Sequence, residues 1–201
     1  MIMYDLHVHT RFSKDSLSEP SKVIEVAKKK GLSGIAITDH NSMQGYMSAR
    51  ETARKLEIEL IPGEEVMTSG GEVLAYLISE EVRPYRSPEE TIDNIREQGG
   101  IAAIAHPFRG RSIRSESTIK LADFVEVANG RSSRKENEKA LELAKRCGKR
   151  GIGGSDAHLL REIGNVVTIG GLKADGILIR GSSYRPLFII YSSIVKLVRE
   201  L

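Results

Sequence analysis

The sequence predicts an α/β chain whose strands close into a barrel. Short apolar runs alternate with segments of helical periodicity along most of its 201 residues. Seven or eight such runs fall within what reads as one domain, which suits closure better than a large open sheet. Strand, helix and strand in succession imply parallel pairing through right-handed crossovers.

Each element has its own signal. Ile2 to Leu6 reads as the first strand. A helix follows from about Pro20, with Ser18 as cap, Val23, Ile24, Val26 and Ala27 as apolar stripe, and Gly31 at its end. Gly34 to Thr38 is a short strand of buried type, Met43 to Glu57 is helical, and Ile58 to Ile61 is a strand closed by Pro62-Gly63. Val73 to Ile78 follows without an intervening helix, so a hairpin-like connection is expected. Ser87-Pro88-Glu89-Glu90 is a capping-box signature for a helix ending at Gly99-Gly100. Ile101 to Ala105 and Phe124 to Ala128 are strands, Ser133 to Cys147 a helix, and Gly151 to Gly154 and Val166 to Ile169 the last strands. No repeat, low-complexity stretch or linker interrupts this order, so residues 1–201 read as one domain. Beyond Gly170 the chain is punctuated by Gly and Ser, then apolar from Pro186 to Val198. That run reads as a C-terminal helix resting on the barrel, in preference to a dimer contact or a membrane-surface helix.

Composition narrows the classes. With 40% hydrophobic and 28% charged residues, the chain has the make-up of a soluble globular protein. The single cysteine, Cys147, excludes an intramolecular disulfide framework and a cysteine-only zinc site, and is most simply structural. A net charge of +3 is too small for charge-driven nucleic-acid binding, so no stable nucleic-acid partner is expected. No run reaches the roughly 18–20 apolar residues of a spanning helix. Asp5, His7 and His9 interrupt any N-terminal signal, so a cytoplasmic location is expected.

The five histidines carry the chemistry. His7 and His9 end the first strand, and side chains at i and i+2 of a strand share a face. His40 follows the second strand, His106 follows Ile101–Ala105, and Asp156 and His158 follow the strand ending at Gly154. Glu64 and Glu65 follow the strand ending at Ile61. A lone loop histidine is usually a solvated or hydrogen-bonded residue. Independent structural histidines, however, have no reason to choose the same end of several strands. In a parallel barrel those ends converge on one face, where active sites sit. A metal centre follows, and ligands of nitrogen and oxygen without thiolate suit Zn, Mn or Fe. There are more ligand candidates than one tetrahedral ion needs, so two or three divalent ions are expected.

Asp5-Leu6-His7-Val8-His9-Thr10, Thr38-Asp39-His40-Asn41, Pro62-Gly63-Glu64-Glu65, Ala105-His106-Pro107 and Gly154-Ser155-Asp156-Ala157-His158 resemble, in order, the motifs of the PHP (polymerase and histidinol phosphatase) superfamily. The resemblance implies a distorted, TIM-like (β/α)7 barrel, a trinuclear metal site and phosphoester hydrolysis. It implies that His7 and His9 hold the first metal, completed by Asp156, with Glu65 bridging to the second. His106 would bind the second metal, and His40, His158 and Asp15 the third. His7, His9, Asp156 and His158 are thereby the catalytic set. Glu72 stands where many members of the superfamily carry a histidine, and as a ligand it adds negative charge. Asp39 is expected to orient a ligand histidine, and Glu64 to be exposed.

Arginines supply the complement to a phosphate. Arg109, Arg111 and Arg114 follow His106 within His106-Pro107-Phe108-Arg109-Gly110-Arg111-Ser112-Ile113-Arg114. A bidentate guanidinium suits a phosphoryl group. Arg109 is the foremost candidate, with Arg131 and Arg11 behind it, while a solvated basic loop is the bland reading. Ser13 and Ser155 read as turn or capping residues, because no nucleophile elbow surrounds them. The function expected is metal-dependent hydrolysis of a phosphate monoester or diester of a small metabolite or nucleotide. Two alternatives remain: an amidohydrolase, which lacks a well-placed carbamylated-lysine candidate here, and a non-catalytic PHP module of a nucleic-acid-processing complex. A homo-oligomer is compatible with the sequence.

Overall fold

The computed structural model describes residues 2–173 and 176–179. The strands are β1 (Met3–Asp5), β2 (Gly34–Ile37), β3 (Glu59–Met67), β4 (Glu72–Tyr76), β5 (Ile101–Ile104), β6 (Phe124–Asn129), β7 (Arg150–Gly154), β8 (Val166–Ile169) and β9 (Gly176–Ile179). The helices are α1 (Pro20–Lys29), α2 (Gln44–Leu56), α3 (Pro88–Glu97), α4 (Glu116–Leu121) and α5 (Arg134–Arg146). One sheet runs in the order β7-β6-β5-β4-β3-β2-β1-β8-β9. It curls into a nearly closed α/β barrel. Ala157, just past β7, exchanges backbone hydrogen bonds with His7 and His9, and Gly153 donates to Thr168 of β8.

Pairing is parallel for β1–β2, β2–β3, β5–β6 and β6–β7. The expected hairpin joins β3 to β4, so β4 runs antiparallel to both β3 and β5. Its first residue, Glu72, therefore lies on the rim made by the C-terminal ends of the parallel strands. β8 is also reversed, pairing antiparallel with β1 and β9. The distortion from an all-parallel barrel thus resides in β4, β8 and β9.

Several expected boundaries shift. β3 does not close at Pro62-Gly63 but continues to Met67. Proline cannot donate to a ladder, but its carbonyl still accepts from Leu77 N–H at 2.8 Å. Gly63 lets β4 approach, since a Cβ there would stand 2.7 Å from the Ala75 carbonyl oxygen. Glu19 rather than Ser18 occupies the N-cap position of α1, without a side-chain cap bond, and the Ser18 hydroxyl instead donates to the His158 carbonyl at 3.1 Å. α4, six residues long, is too short to show helical periodicity. α3 and α5 both open with complete capping boxes, Ser87 with Glu90 and Ser133 with Glu136. The apolar run from Pro186 to Val198 lies outside the described residues.

Strand alternation sorts the apolar side chains into an inner and an outer layer. Ile35 and Ile37 of β2 meet α1 and α2, while Ala36 faces inward with Leu6, Ile61, Leu74, Tyr76, Ala103, Phe124 and Ile152. Fully buried Tyr76 donates its hydroxyl to the Leu6 carbonyl at 2.9 Å, filling the interior next to His7. α3, α4 and α5 cover the other half through Ile92, Ile95, Ile119, Ala140 and Leu143. No helix among the described residues is long and apolar enough to cross a membrane.

Candidate metal centre

All five histidines meet at the rim. His7 and His9 extend from β1, with ring nitrogens Nε2 3.1 Å apart. Glu65, on the inward face of β3, lies between them: its Oε1 is 3.3 Å from His7 Nε2 and its Oε2 3.4 Å from His9 Nε2. Asp156 Oδ1 closes the same space at 3.6 and 3.3 Å from those nitrogens. His106 Nε2 stands 3.0 Å from Glu65 and 3.5 Å from Glu72. Asp15 Oδ2 lies 3.1 Å from His158 Nε2 and 3.6 Å from His40 Nε2. His40 Nδ1 is 3.0 Å from Glu65 and 3.9 Å from Glu72. Every residue named from the sequence as a metal ligand is thus within reach of another.

The donor set fits divalent cations. Four groups of three side chains bring ligand atoms within 4.8 Å of one another: His9, His40 and His158; His7, His106 and Asp156; His7, His9 and Glu65; and His40, Glu65 and Glu72. Among the described residues, buried Asp15 Oδ1 and Asp156 Oδ1 have no well-aligned hydrogen-bond partner. Leaving such acceptors unpaired is costly, and a divalent cation satisfies them. The nitrogen and oxygen set, without thiolate, suits Zn, Mn or Fe.

Electrostatics agree with a site that trades protons for cations. Burial, then the His158 and His40 neighbours, hold the His9 imidazole down at about 3. For His7, burial is outweighed by Asp156, Glu126 and Glu65, which raise it well above its ordinary value. Burial of Asp156 is likewise outweighed by Arg109 and His7, which hold the carboxyl well below the usual range. Burial and the nearby Glu65 raise Glu72. Protons held by a carboxylate-rich cluster are released when cations bind.

Residues behind the ligands orient them. Asp39 accepts from Thr10 N–H and Oγ–H, each at 2.6 Å, and from the Ser13 hydroxyl at 2.7 Å. Ser13 Oγ in turn lies 2.9 Å from His9 Nδ1, so Asp39 acts on His9 through Ser13. Ser13 is the turn residue expected, its N–H donating to the Thr10 carbonyl at 2.9 Å, and its hydroxyl in addition relays Asp39 to His9. Ser155 is bound to Asp5 through its backbone N–H and hydroxyl, and buried Cys147 caps the end of α5. Glu162, unnoticed in the sequence, accepts from His158 N–H at 2.7 Å. Glu126 and Asn129 were also missed. Glu126 Oε1 is 3.0 Å from His7 Nδ1, and Asn129 Nδ2 donates to Glu126 and to Asp156. The available signal was a charged residue inside the apolar run Phe124-Val125-Glu126-Val127-Ala128.

Two placements differ from expectation. Glu64 is buried, not exposed. Neighbours on a strand point to opposite faces, so Glu65 turns to the rim and Glu64 away from it, where it accepts from Val82 N–H. Arg11 does not join the site: its half-exposed side chain pairs with Glu19 at 3.2 Å and lies over Phe12. A cavity of about 500 Å³ opens over the cluster, and Arg109, Arg111 and Arg131 line it, whereas Arg114 binds the Pro107 carbonyl instead. Arg109 is ion-paired to Asp156, and Arg111 donates to the Ser69 carbonyl.

Comparisons with known proteins agree with this geometry. A protein of Methanocaldococcus jannaschii described as uncharacterized is 36% identical over 171 residues, covering 80% of this chain and 67% of that one. The fold matches a two-domain protein of Bacteroides vulgatus containing a predicted PHP-like metal-dependent phosphoesterase (TM-score 0.67, 24% identity, 78% of this chain and 52% of that chain). It also matches an amidohydrolase of Chromobacterium violaceum with bound sulfate (0.68, 20%, 94% and 96%) and a lesion-specific endonuclease of Pyrococcus furiosus (0.64, 18%, 86% and 54%). The model of the PHP domain matches residues 5–94, and that of the PHP-associated region residues 134–176. Since the first match takes in every ligand candidate from His7 to Glu72 and the second lies beyond it in the same chain, this chain belongs to the PHP family.

Proposed function

We propose that this protein hydrolyses a phosphate monoester or diester of a small phosphorylated metabolite or a nucleotide, using two or three divalent ions. The observation that carries the reading is one cavity lined both by ligand candidates and by Arg109, Arg111 and Arg131. His7, His9, Asp15, His40, Glu65, Glu72, His106, Asp156 and His158 would hold the ions. Bound divalent ions supply a nucleophile at neutral pH and offset phosphoryl charge. Arg109 and Arg131 would orient the phosphoryl oxygens through fixed guanidinium donors.

A cavity of about 500 Å³ is the size of a small-molecule site. It favours a metabolite or a nucleotide end over a wrapped duplex. Arginine, with no lysine among the described lining residues, favours phosphate over an amide. The test is a panel of phosphomonoesters, phosphodiesters and amides, assayed with Mn, Zn and Fe in turn. Hydrolysis of a phosphoester that chelator abolishes and His7→Ala removes is expected. A metal-loaded protein inert on every phosphoester, or active on amides alone, would overturn the reading.

A further inference from the structure

We infer that Glu126 and Asn129 form a positioning pair that holds the metal ligands and the Arg131 segment in one arrangement. The inference rests on the metal centre proposed above. Both residues are buried, at 1% and 0% exposure, on β6. They are three positions apart, and regular alternation would place them on opposite faces. The pairing of β6 with β7 shifts register between Glu126 and Ala128. This irregularity returns Asn129 to the side of Glu126, so that its Nδ2 donates to Glu126 Oε2 at 3.1 Å. Such irregularities re-aim side chains beside active sites.

The bonding leaves little freedom in residue choice. Glu126 Oε1 faces His7 Nδ1 at 3.0 Å, and Oε2 accepts from His106 N–H at 2.9 Å and from Asn129. Three donors therefore converge on one side chain, which only an acceptor without hydrogens serves fully. A carboxylate at His7 Nδ1 requires that nitrogen to carry a proton, which leaves Nε2, facing Glu65 and Asp156, as the nitrogen a cation would take in exchange for any proton there. Asn129 is used to the same extent. Its amide donates to Glu126 and to Asp156 Oδ2, each at 3.1 Å, and its Oδ1 accepts from Arg131 N–H at 2.9 Å and Ser132 N–H at 3.0 Å. One side chain thus ties two acidic groups of the centre to the backbone that presents Arg131.

The test uses Glu126→Gln and Asn129→Ala, with circular dichroism confirming the fold. Glutamine matches the volume but must turn an amide hydrogen toward one of the three donors. In competition with a chromogenic chelator, Glu126→Gln is expected to bind Zn²⁺ or Mn²⁺ 10- to 100-fold more weakly. Ring ¹⁵N spectra of the metal-free protein should show the His7 Nδ1–H signal displaced, since its carboxylate partner is gone. Asn129→Ala, at saturating metal, should raise KM for the phosphoester more than it lowers kcat. Metal affinity within twofold of wild type and an unchanged His7 Nδ1–H signal in Glu126→Gln would overturn the role of Glu126. An unchanged KM in Asn129→Ala would overturn the link to Arg131. Should Glu126→Gln fail to fold, metal affinity and KM of Asn129→Ala decide the matter. A wild-type protein that binds no divalent metal would instead refute the metal centre itself.

Discussion

Glu64 offers a quantitative test of the barrel wall. Its carboxylate is buried, one oxygen accepts from Val82 N–H, and the other has no partner. Burial pushes the carboxyl up to about 7 from 4.5, with Val82 pulling it back and Glu81 pushing it further. A carboxyl raised in the folded state keeps its proton longer there than in the unfolded chain. Its stabilising contribution is therefore fully present below about 4.5 and is lost as pH rises toward about 7. At about 1.36 kcal/mol per pH unit, the loss between pH 5 and pH 8 comes to about 2–3 kcal/mol. Glu64→Gln removes the titration while keeping the acceptor for Val82. Denaturant unfolding of both proteins, at equal metal content, should show Glu64→Gln gaining about 2–3 kcal/mol on wild type across that range. For a chain of this length the corresponding Tm gap opens by roughly 5–10 °C. Other titrating groups cancel in the difference. A gap that stays flat from pH 5 to pH 8 would show that Glu64 does not ionise in a buried setting.

Three further outcomes bear on the site and its support. Arg109→Ala removes the guanidinium from Asp156 and from the cavity wall, and a charged hydrogen bond of about 1.5–3 kcal/mol corresponds to a roughly 10- to 150-fold loss of kcat/KM; Arg11→Ala, outside the cavity, should stay within about twofold in the same assay. Gly154→Ala would set a Cβ 2.4 Å from His7 Cβ and 2.7 Å from its nitrogen, so reduced metal content by elemental analysis should accompany a loss of roughly 1–3 kcal/mol or more. Tyr76→Phe leaves the Leu6 carbonyl without its 2.9 Å donor, and a lower urea midpoint equivalent to about 1–3 kcal/mol is the expected reading.

The parts of this molecule that the sequence discloses are those carried by local pattern. Alternating strands and helices, the hairpin before Val73 and both capping-box helices depend on residues close in the chain, and each is present. The clustering of the five histidines was legible for a related reason: a strand end is a local feature, and a parallel barrel brings such ends together whatever lies between them. Glu64 and Glu65 show where this stops. Placing the strand end at Pro62 leaves both in a loop, where either could face solvent, whereas its continuation to Met67 assigns them opposite faces. Arg11 stands two residues after His9 in the sequence, yet the turn after His9 carries it out to Glu19. Glu126 and Asn129 lie furthest from view. Their partners are 119 and 27 residues away, at His7 and Asp156, and their shared orientation depends on a register shift that no periodicity announces. An acidic residue within an apolar strand was nevertheless a clue, because burying a carboxylate costs least where several donors meet it. Here three donors do, and two of them belong to histidines of the candidate metal centre. The irregularity in β6 and the arrangement at the rim are therefore aspects of one constraint: the strand departs from regular pairing where His7 and His106 meet an acceptor behind them.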